Sequence, residues 1–125
     1  MGRRVAISSY KDLVAWQEAM VLAEMAYQLS ELLPKSEQFG LVSQIRRAAV
    51  SVPANIAEGW GRDNRGMYVQ QLRIAQGSLK ELETHILLGA RLRMLTQDDI
   101  AAVLGKAEQA GKLLRGLIRS LEAAT

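Results

Sequence analysis

Apolar residues recur at steps of three and four along most of the chain, which is the spacing of one face of an α-helix. The clearest stripe of this kind consists of Leu41, Ile45, Ala48, Val52, Ile56 and Gly59. An earlier segment carries, in the same relation, Leu13, Trp16, Met20, Ala23, Tyr27 and Leu33. Two later segments carry Tyr68, Leu72, Ala75, Leu79, Leu82, Ile86 and Gly89, and then Ile100, Leu104, Ala107, Gly111, Leu114, Ile118 and Leu121. No segment shows the period of two that a half-buried strand needs, so the pattern predicts an all-α protein in which four helices bury these stripes.

Capping and helix-breaking residues set the predicted ends of the first two helices. The first helix is predicted to run from about residue 9 to Pro34, because helices usually end at or before a proline. Ser36 is expected to cap the second helix, which runs to about Gly61. Pro53 lies inside this second helix, where its missing N–H group and its ring predict a kink.

The third and fourth helices begin at side chains that can accept hydrogen bonds from free backbone N–H groups. Asp63 or Asn64 is predicted to cap the third helix, which extends to about Met94. Thr96 is predicted to cap the fourth helix, with Asp99 favourably placed in its first turn. Helices joined by short loops run antiparallel to their neighbours in sequence, so the predicted architecture is an up-down-up-down four-helix bundle.

Length and composition are consistent with one soluble domain. The 125 residues are enough to bury a single core, and we expect the bundle to occupy residues 9–125 after a flexible tail over residues 1–8. Cysteine is absent, which excludes disulfides and thiolate sites from this sequence. The apolar stretches are shorter than the roughly 20 residues that span a bilayer, and the N-terminus lacks the apolar segment of a secretory signal. We therefore expect a cytoplasmic protein with no membrane partner.

The positive charge of the chain is concentrated in its middle. The net charge is +3, and residues 36–95 carry eight Lys and Arg against five Asp and Glu. Arginine side chains bind phosphate oxygens, and aromatic rings stack on unpaired bases. The predicted nucleic-acid-binding surface consists of Arg46, Arg47, Arg62, Arg65, Arg73, Trp60 and Tyr68. This combination favours RNA or single-stranded DNA over a duplex that is read by its sequence.

A polar stripe runs beside the apolar stripe of the second helix and consists of Gln44, Arg47, Ser51, Asn55, Glu58 and Arg62. One interpretation is a structural polar network formed by Gln44, Ser51, Asn55, Glu58, Ser78 and Glu81. In this interpretation, arginines pair with Glu58, Glu81 and Glu83 between helices or subunits, and Asn55 bonds to backbone groups that Pro53 frees. In the other interpretation, the arginines bind a polyanion.

Catalytic and cofactor sites have little support in the sequence. His85 is the only histidine, and the chain has no Glu-x-x-His pair of the kind that binds metals in bundles. No glycine-rich loop follows a predicted strand, so no nucleotide cofactor is expected. An enzymatic site would need Glu58 to meet Arg47 or His85 in one cleft. We therefore expect a non-enzymatic protein with no metal, no cofactor and no small-molecule substrate.

Many apolar residues lie off the four stripes, which is typical of subunit association. These residues are Val21, Leu22, Met25, Leu29, Val50, Trp60, Val69, Ile74, Leu87, Leu88, Leu92, Leu113 and Leu117. A symmetric oligomer would also bring several copies of a modest basic surface together and strengthen its electrostatic field. We therefore expect a homo-oligomer.

Three motifs within about residues 10–90 are characteristic of a known family. The first is Tyr10-x-x-Leu13-x-x-Trp16-x-x-Ala19. The second is Phe39-Gly40-Leu41-x-x-Gln44-x-Arg46-Arg47-Ala48-x-x-Ser51-x-Pro53-x-Asn55-Ile56-Ala57-Glu58-Gly59. The third is Leu72-x-x-Ala75-x-Gly77-Ser78-x-x-Glu81-Leu82. With these motifs the chain resembles the four-helix-bundle proteins encoded in intervening sequences of bacterial 23S ribosomal RNA genes.

The resemblance implies an up-and-down bundle that assembles as a cyclic pentamer. The family includes the accessory protein of diversity-generating retroelements, which associates with a reverse transcriptase and nucleic acid. By analogy with it, Arg46, Arg47 and Arg73 would have a nucleic-acid role. Two functions are therefore expected as alternatives. One is binding of RNA, single-stranded nucleic acid or a nucleic-acid enzyme such as a reverse transcriptase. The other is a structural or protein-interaction assembly with no nucleic-acid partner.

Overall fold

The computed structural model describes residues 6–123, and four α-helices account for most of them. The helices are α1 (Val14–Ser30), α2 (Leu41–Trp60), α3 (Arg65–Arg91) and α4 (Gln97–Ala123). No strand occurs among these residues, which confirms the all-α prediction. Helices α2 and α4 each pack against both α1 and α3, so the four helices form a bundle. None of the described helices is long and apolar enough to cross a membrane.

Contacts join the end of one helix to the start of the next. Arg46, near the start of α2, donates a hydrogen bond to Ser30 at the end of α1. At the other end of α2, Gly59 packs on Tyr68 near the start of α3. Such pairings are typical of antiparallel neighbours. Helix α2 continues through Pro53, and the kink predicted there stays a prediction, as does the up-down order of the four helices.

The core lies between the helices and contains the predicted stripes of α2, α3 and α4. All six stripe residues of α2 are buried, as are six of the seven in α3, where Tyr68 is half-buried. In α4, five of the seven are buried, and Leu104 and Leu121 pack against the core from its edge. The stripe predictions for these three helices are therefore confirmed. The stripes are buried because burial of apolar surface is the main favourable contribution to folding.

The predicted buried stripe of α1 is wrong at three of its six positions. Met20 and Tyr27 are 37% and 40% exposed, and Trp16 is half-buried. The stripe residues that are buried are Leu13, Ala23 and Leu33. The face of α1 that enters the core carries Ala15, Ala19, Leu22, Ala26 and Leu29 instead. The distance between packed helices depends on the side chains at the contact, so the small alanines let α1 approach its neighbours while the bulky side chains lie at the rim.

The first two helices begin later than predicted, because a short 3-10 turn precedes each of them. Residues Tyr10–Asp12 form the first turn, and α1 follows it. Residues Lys35–Glu37 form the second turn, and Ser36 lies inside it. Glu37 Oε1 accepts a hydrogen bond from the N–H of Leu41 at 3.0 Å. Glu37 therefore takes the capping role that was predicted for Ser36.

Helices α1 and α3 end earlier than predicted. Helix α1 ends at Ser30, and turns lead from it towards the second 3-10 turn. After α3, Arg93 adopts the left-handed conformation with φ 63°. The N–H of Met94 then donates to the carbonyl of Gly89 at 2.9 Å, as in a Schellman motif. Glycine usually occupies this left-handed position, so an arginine there gives no sequence signal for the helix end.

The predicted caps of α3 and α4 are confirmed. Asn64 Oδ1 accepts a hydrogen bond from the N–H of Met67 at 2.8 Å. The N–H of Asp99 donates to Thr96 Oγ1 at 3.0 Å, and the N–H of Thr96 donates to Asp99 Oδ2 at 2.8 Å. The second pair forms a reciprocal capping box, which satisfies two backbone donors at once.

The predicted N-terminal tail falls partly within the described residues, and residues 1–5 lie outside them. The backbone N–H and the hydroxyl of Ser8 donate to Asp12 Oδ2 at 2.9 and 3.0 Å. These bonds, the backbone one foremost, lower the pKa of the Asp12 carboxyl below its ordinary value, because they favour its charged form. The carboxylate therefore ties Ser8 to the first 3-10 turn.

Candidate functional site

A chain of hydrogen bonds joins α2 to α3 along the polar stripe. The hydroxyls of Ser51 and Ser78 lie 2.7 Å apart. Asn55 Nδ2 donates to the carbonyl oxygen of Ser51 at 2.8 Å and to its hydroxyl at 2.9 Å. Asn55 Oδ1 accepts a hydrogen bond from Gln71 Nε2 at 2.7 Å. Three residues of the predicted network therefore meet, and Gln71, which was not predicted, joins them.

The same chain of bonds continues to the end of α2. Arg62 Nη2 donates to Gln71 Oε1 at 2.9 Å and to Glu58 Oε1 at 2.8 Å. Glu58 is thus paired with an arginine four positions further along the chain, whereas the prediction placed its partner on another helix or subunit, and its place in a structural polar network stays a prediction. The hydrogen bonds of the described residues do not extend to Gln44 or Glu81, which lie around a shallow depression beside Ser51.

The five predicted phosphate-binding arginines differ in how far they are already engaged. Arg46 Nε donates to Ser30 Oγ at 2.9 Å, and its guanidinium lies 4.9 Å from the centre of the Tyr27 ring. Arg62 is bound as described above, and Arg73 pairs with Glu122 on α4 at 2.8 Å. Two further arginines are exposed and form no ion pair among the described residues, Arg47 and Arg65.

The arginines also lie far apart along the bundle. Arg46 lies 14 positions before the last residue of α2, Trp60, which corresponds to about 21 Å at 1.5 Å per residue, and Arg62 lies beyond that end. Arg73 faces α4 through its ion pair, on another side of α3 from the network with α2. A single protomer therefore does not gather the predicted surface at one place, and only Arg62 and Arg65 lie close to the same loop.

The two predicted stacking aromatics pack against each other. The rings of Trp60 and Tyr68 meet edge to face with centroids 6.4 Å apart. The Tyr68 hydroxyl is buried and has no hydrogen-bond partner among the described residues. Burial raises the pKa of Tyr68, because desolvation disfavours the phenolate. Tyr68 is therefore used in packing, and its role in base stacking stays a prediction.

The groups required for the enzymatic hypothesis do not meet. Glu58 is held by Arg62 at the end of α2. Tyr68 lies across from that end, and His85 is 17 positions further along α3, or about 25 Å by helical rise. Within residues 6–123, no three His, Asp or Glu side chains come close enough to hold a metal ion.

An open apolar groove lies between α1 and α2, and we call it the α1–α2 groove. Its volume is about 670 Å³. It is lined by Tyr10, Trp16, Met20, Ala23, Glu24, Tyr27, Gln28, Val50, Pro53, Ala54 and Ala57. Four of these residues, Trp16, Met20, Ala23 and Tyr27, belong to the stripe that the sequence pattern placed in the core of α1. The groove has the size of a small-molecule or side-chain pocket and offers few polar groups.

Phe39 extends this apolar surface beyond the groove. It lies just before α2 and is 91% exposed. Phe39 lines a neighbouring depression together with three further apolar or aromatic residues and four polar ones, which are Tyr27, Val42, Val50, Gln38, Ser43, Arg46 and Arg47. Since Tyr27 and Val50 also line the α1–α2 groove, the two features form one continuous surface.

The fold and these surfaces can be compared with known proteins. The sequence profile of the 23S rRNA-intervening sequence proteins matches residues 11–116 of the chain. The chain belongs to the 23S rRNA-intervening sequence protein family.

One solved structure has a similar fold. It is a crystal structure of a protein with unknown function from the S23 ribosomal protein family of Bacteroides thetaiotaomicron VPI-5482. The two structures agree with a TM-score of 0.78 at 24% sequence identity, over 84% of this chain and 98% of that chain. At this identity the likeness establishes the fold alone. A search of curated proteins found no significant match.

Two features of this 23S rRNA-intervening sequence protein family member were not predicted from its sequence. One is the exposure of Phe39, for which a lone phenylalanine between a polar residue and a glycine was the available signal. Arg115 and Arg119 lie beside Arg73, but residues 96–125 carry four bases and four acids and appear neutral as a segment. The spacing of four between the two arginines was the signal that could have found them.

Proposed function

We propose that this protein is a non-enzymatic homo-oligomer whose subunits join through the α1–α2 groove. The observation that carries the proposal is the open apolar groove continuous with Phe39, which is 91% exposed. Burial of apolar surface contributes about 25 cal/mol per Å², and a contiguous exposed apolar patch is typical of an interaction site. The cyclic pentamer that the family resemblance implies is the assembly we expect.

The occupant we propose for the groove is Phe39 of a second copy. Each copy carries both the groove and the phenylalanine, so a head-to-tail contact can repeat and close into a ring. The charges match this arrangement, because Glu24 lines the groove and Arg47 lies beside Phe39. Neither Glu24 nor Arg47 forms an ion pair among the described residues. In the assembly, Glu24 of one copy faces Arg47 of the next.

Sedimentation velocity at micromolar protomer concentration tests the assembly. Wild-type protein is expected to have a mass that is a multiple of 13.8 kDa, and Met20→Glu is expected to dissociate it, because a charge is costly to bury without a partner. Leu88→Glu is the matched control, since Leu88 is similarly exposed but lies on α3. A wild-type protein that sediments as one protomer, or a Met20→Glu variant that assembles normally, would contradict the proposal.

A charge exchange tests the orientation of the contact. Glu24→Arg and Arg47→Glu should each weaken association, and the double variant should recover it, because opposite charges face each other again.

An apolar fluorescent dye tests the competing occupant, a small apolar ligand. The dye should not bind the assembled wild type, because the groove is filled. It should bind the dissociated Met20→Glu variant only weakly, at exposed apolar surface outside the groove. Stoichiometric binding to the assembled protein would indicate a ligand groove instead.

A second candidate function is the binding of RNA, single-stranded nucleic acid or a nucleic-acid enzyme such as a reverse transcriptase. The observation that favours it is the exposed Arg65, which has no ion pair among the described residues and lies near Arg62. Binding of a labelled single-stranded oligoribonucleotide, followed by fluorescence anisotropy, should weaken as salt rises and should weaken further in Arg65→Ala. If no binding occurs at low salt, this candidate fails.

A further inference from the structure

A shallow depression between α3 and α4 gathers three arginines. Its volume is about 360 Å³, and it is lined by Arg73, Gln76, Arg115, Ile118, Arg119 and Glu122. Three arginine side chains and one acidic side chain therefore line the depression. The depression belongs to different helices from the α1–α2 groove, and the two have no lining residue in common.

Only one of the three arginines has an acidic partner among the described residues. Arg73 Nη2 lies 2.8 Å from Glu122 Oε2. Arg115 and Arg119 form no ion pair in that part of the chain. They lie one turn apart on α4, where two like charges repel and destabilise the helix. An anion from outside the protomer would relieve this repulsion.

The other carboxylates beside Arg115 are engaged with lysines. Glu83 and Glu108 lie with Arg115 around an adjoining depression between the same helices. Glu83 Oε1 lies 3.0 Å from Lys80 Nζ. The two groups form an ion pair, but their geometry is not that of a hydrogen bond. Glu108 lies 3.7 Å from Lys112. Each of these two carboxylates therefore already has a lysine as its partner, and neither pairs with Arg115.

The helix dipole does not explain the arginine pair. The negative end of a helix attracts cations, but the effect falls off within the last turn. Helix α4 is described to Ala123, so Arg119 lies one turn before that residue and Arg115 two turns before it. The dipole therefore accounts for Arg119 at most.

We infer that this depression binds a phosphate group. Guanidinium groups donate parallel N–H bonds to phosphate oxygens in a geometry that an ammonium group does not offer. The Gln76 side-chain amide supplies a further donor on the α3 side. The bound phosphate competes with Glu122 for Arg73. The inference goes beyond self-association and uses no residue of the α1–α2 groove.

Two sources present the same phosphate oxygens, an RNA backbone and a small polyphosphate. The probes are a fluorescein-labelled single-stranded oligouridylate, followed by anisotropy, and sodium tripolyphosphate, followed by calorimetry, both with the full chain at low salt. The double variant Arg115→Ala and Arg119→Ala should weaken binding of the preferred probe about tenfold or more. The control double variant Lys35→Ala and Arg91→Ala removes two exposed positive charges elsewhere and should change binding little.

A second readout comes from the carboxylate in the depression. Glu122→Gln should tighten phosphate binding, because it frees Arg73 and removes a competing anion. Glu108→Gln makes the same change of charge beside Lys112 and should have a smaller effect. Since all of these side chains are exposed, the variants should keep the circular dichroism spectrum of the wild type.

The outcomes separate the two sources from a failure of the inference. Oligouridylate binding that tripolyphosphate displaces assigns the site to an RNA backbone, and binding of tripolyphosphate alone assigns it to a small polyphosphate. Equal losses in the two double variants would show diffuse charge and overturn the inference. Absence of binding by both probes at low salt would overturn it as well.

Discussion

Replacement of Gly59 by alanine should force α2 and α3 apart. A methyl group at this position would lie 2.9 Å from the Cβ of Gln71 and 3.3 Å from the carbonyl oxygen of Tyr68. Carbon atoms in good contact are about 3.5–4.0 Å apart. Both neighbours belong to the backbone of α3 or adjoin it, so neither can rotate away. The shift would also strain the 2.7 Å hydrogen bond between Gln71 and Asn55.

The size of the effect follows from two opposing contributions. Overpacking of a close interface costs about 1–3 kcal/mol. Alanine favours a helix over glycine by about 1 kcal/mol, which offsets part of this loss. We therefore expect Gly59→Ala to lower the free energy of unfolding by up to about 2 kcal/mol. At Gly77, no atom lies within 4 Å of an added methyl group, so Gly77→Ala should raise it by about 0.5–1 kcal/mol.

Urea unfolding followed by far-ultraviolet circular dichroism measures the difference. Wild type, Gly59→Ala and Gly77→Ala are compared at one protomer concentration, because self-association shifts apparent stability. A change in midpoint at constant slope reports a change in stability. If Gly59→Ala is as stable as Gly77→Ala, the close approach of the two helices does not limit residue 59 and the reasoning is refuted.

Three further predictions concern individual polar groups. Tyr68→Phe should raise the free energy of unfolding by about 1 kcal/mol in the same urea assay, because it removes a buried hydroxyl without a partner; a lower stability would reveal a bound partner. Asn55→Ala should lower it by about 1–2 kcal/mol, since Gln71 and Ser51 lose their hydrogen bonds. The pKa of Asp12 is lowered in the fold from its ordinary value of 3.8. Its contribution to the free energy of unfolding is therefore present above pH 3.8 and is lost as the pH falls through the lower pKa of the folded state. Asp12→Asn should therefore reduce the dependence of thermal midpoint on acid pH, and an unchanged dependence would count against the capping role.

The helical period and the local caps were determined by the sequence alone. The stripes of α2 and α3 are buried because apolar residues at helical spacing have one favourable place, the core. The caps at Asn64 and Thr96 form with residues only three positions away. Such contacts join residues that are close in the sequence, so they can be predicted from the sequence itself. The end of α3 escaped prediction because Arg93 takes a conformation that glycine usually signals.

The tertiary structure decided which faces meet between helices. Helix α1 has apolar residues on two faces, and close packing selected the face with Ala19 over the one with Met20 and Tyr27, which left the α1–α2 groove open. Arg73 and Arg115 come together only because α3 packs on α4. Spacing along one helix orders its own side chains, whereas a site shared by two helices depends on their separation and rotation. Neither quantity can be obtained from either helix alone.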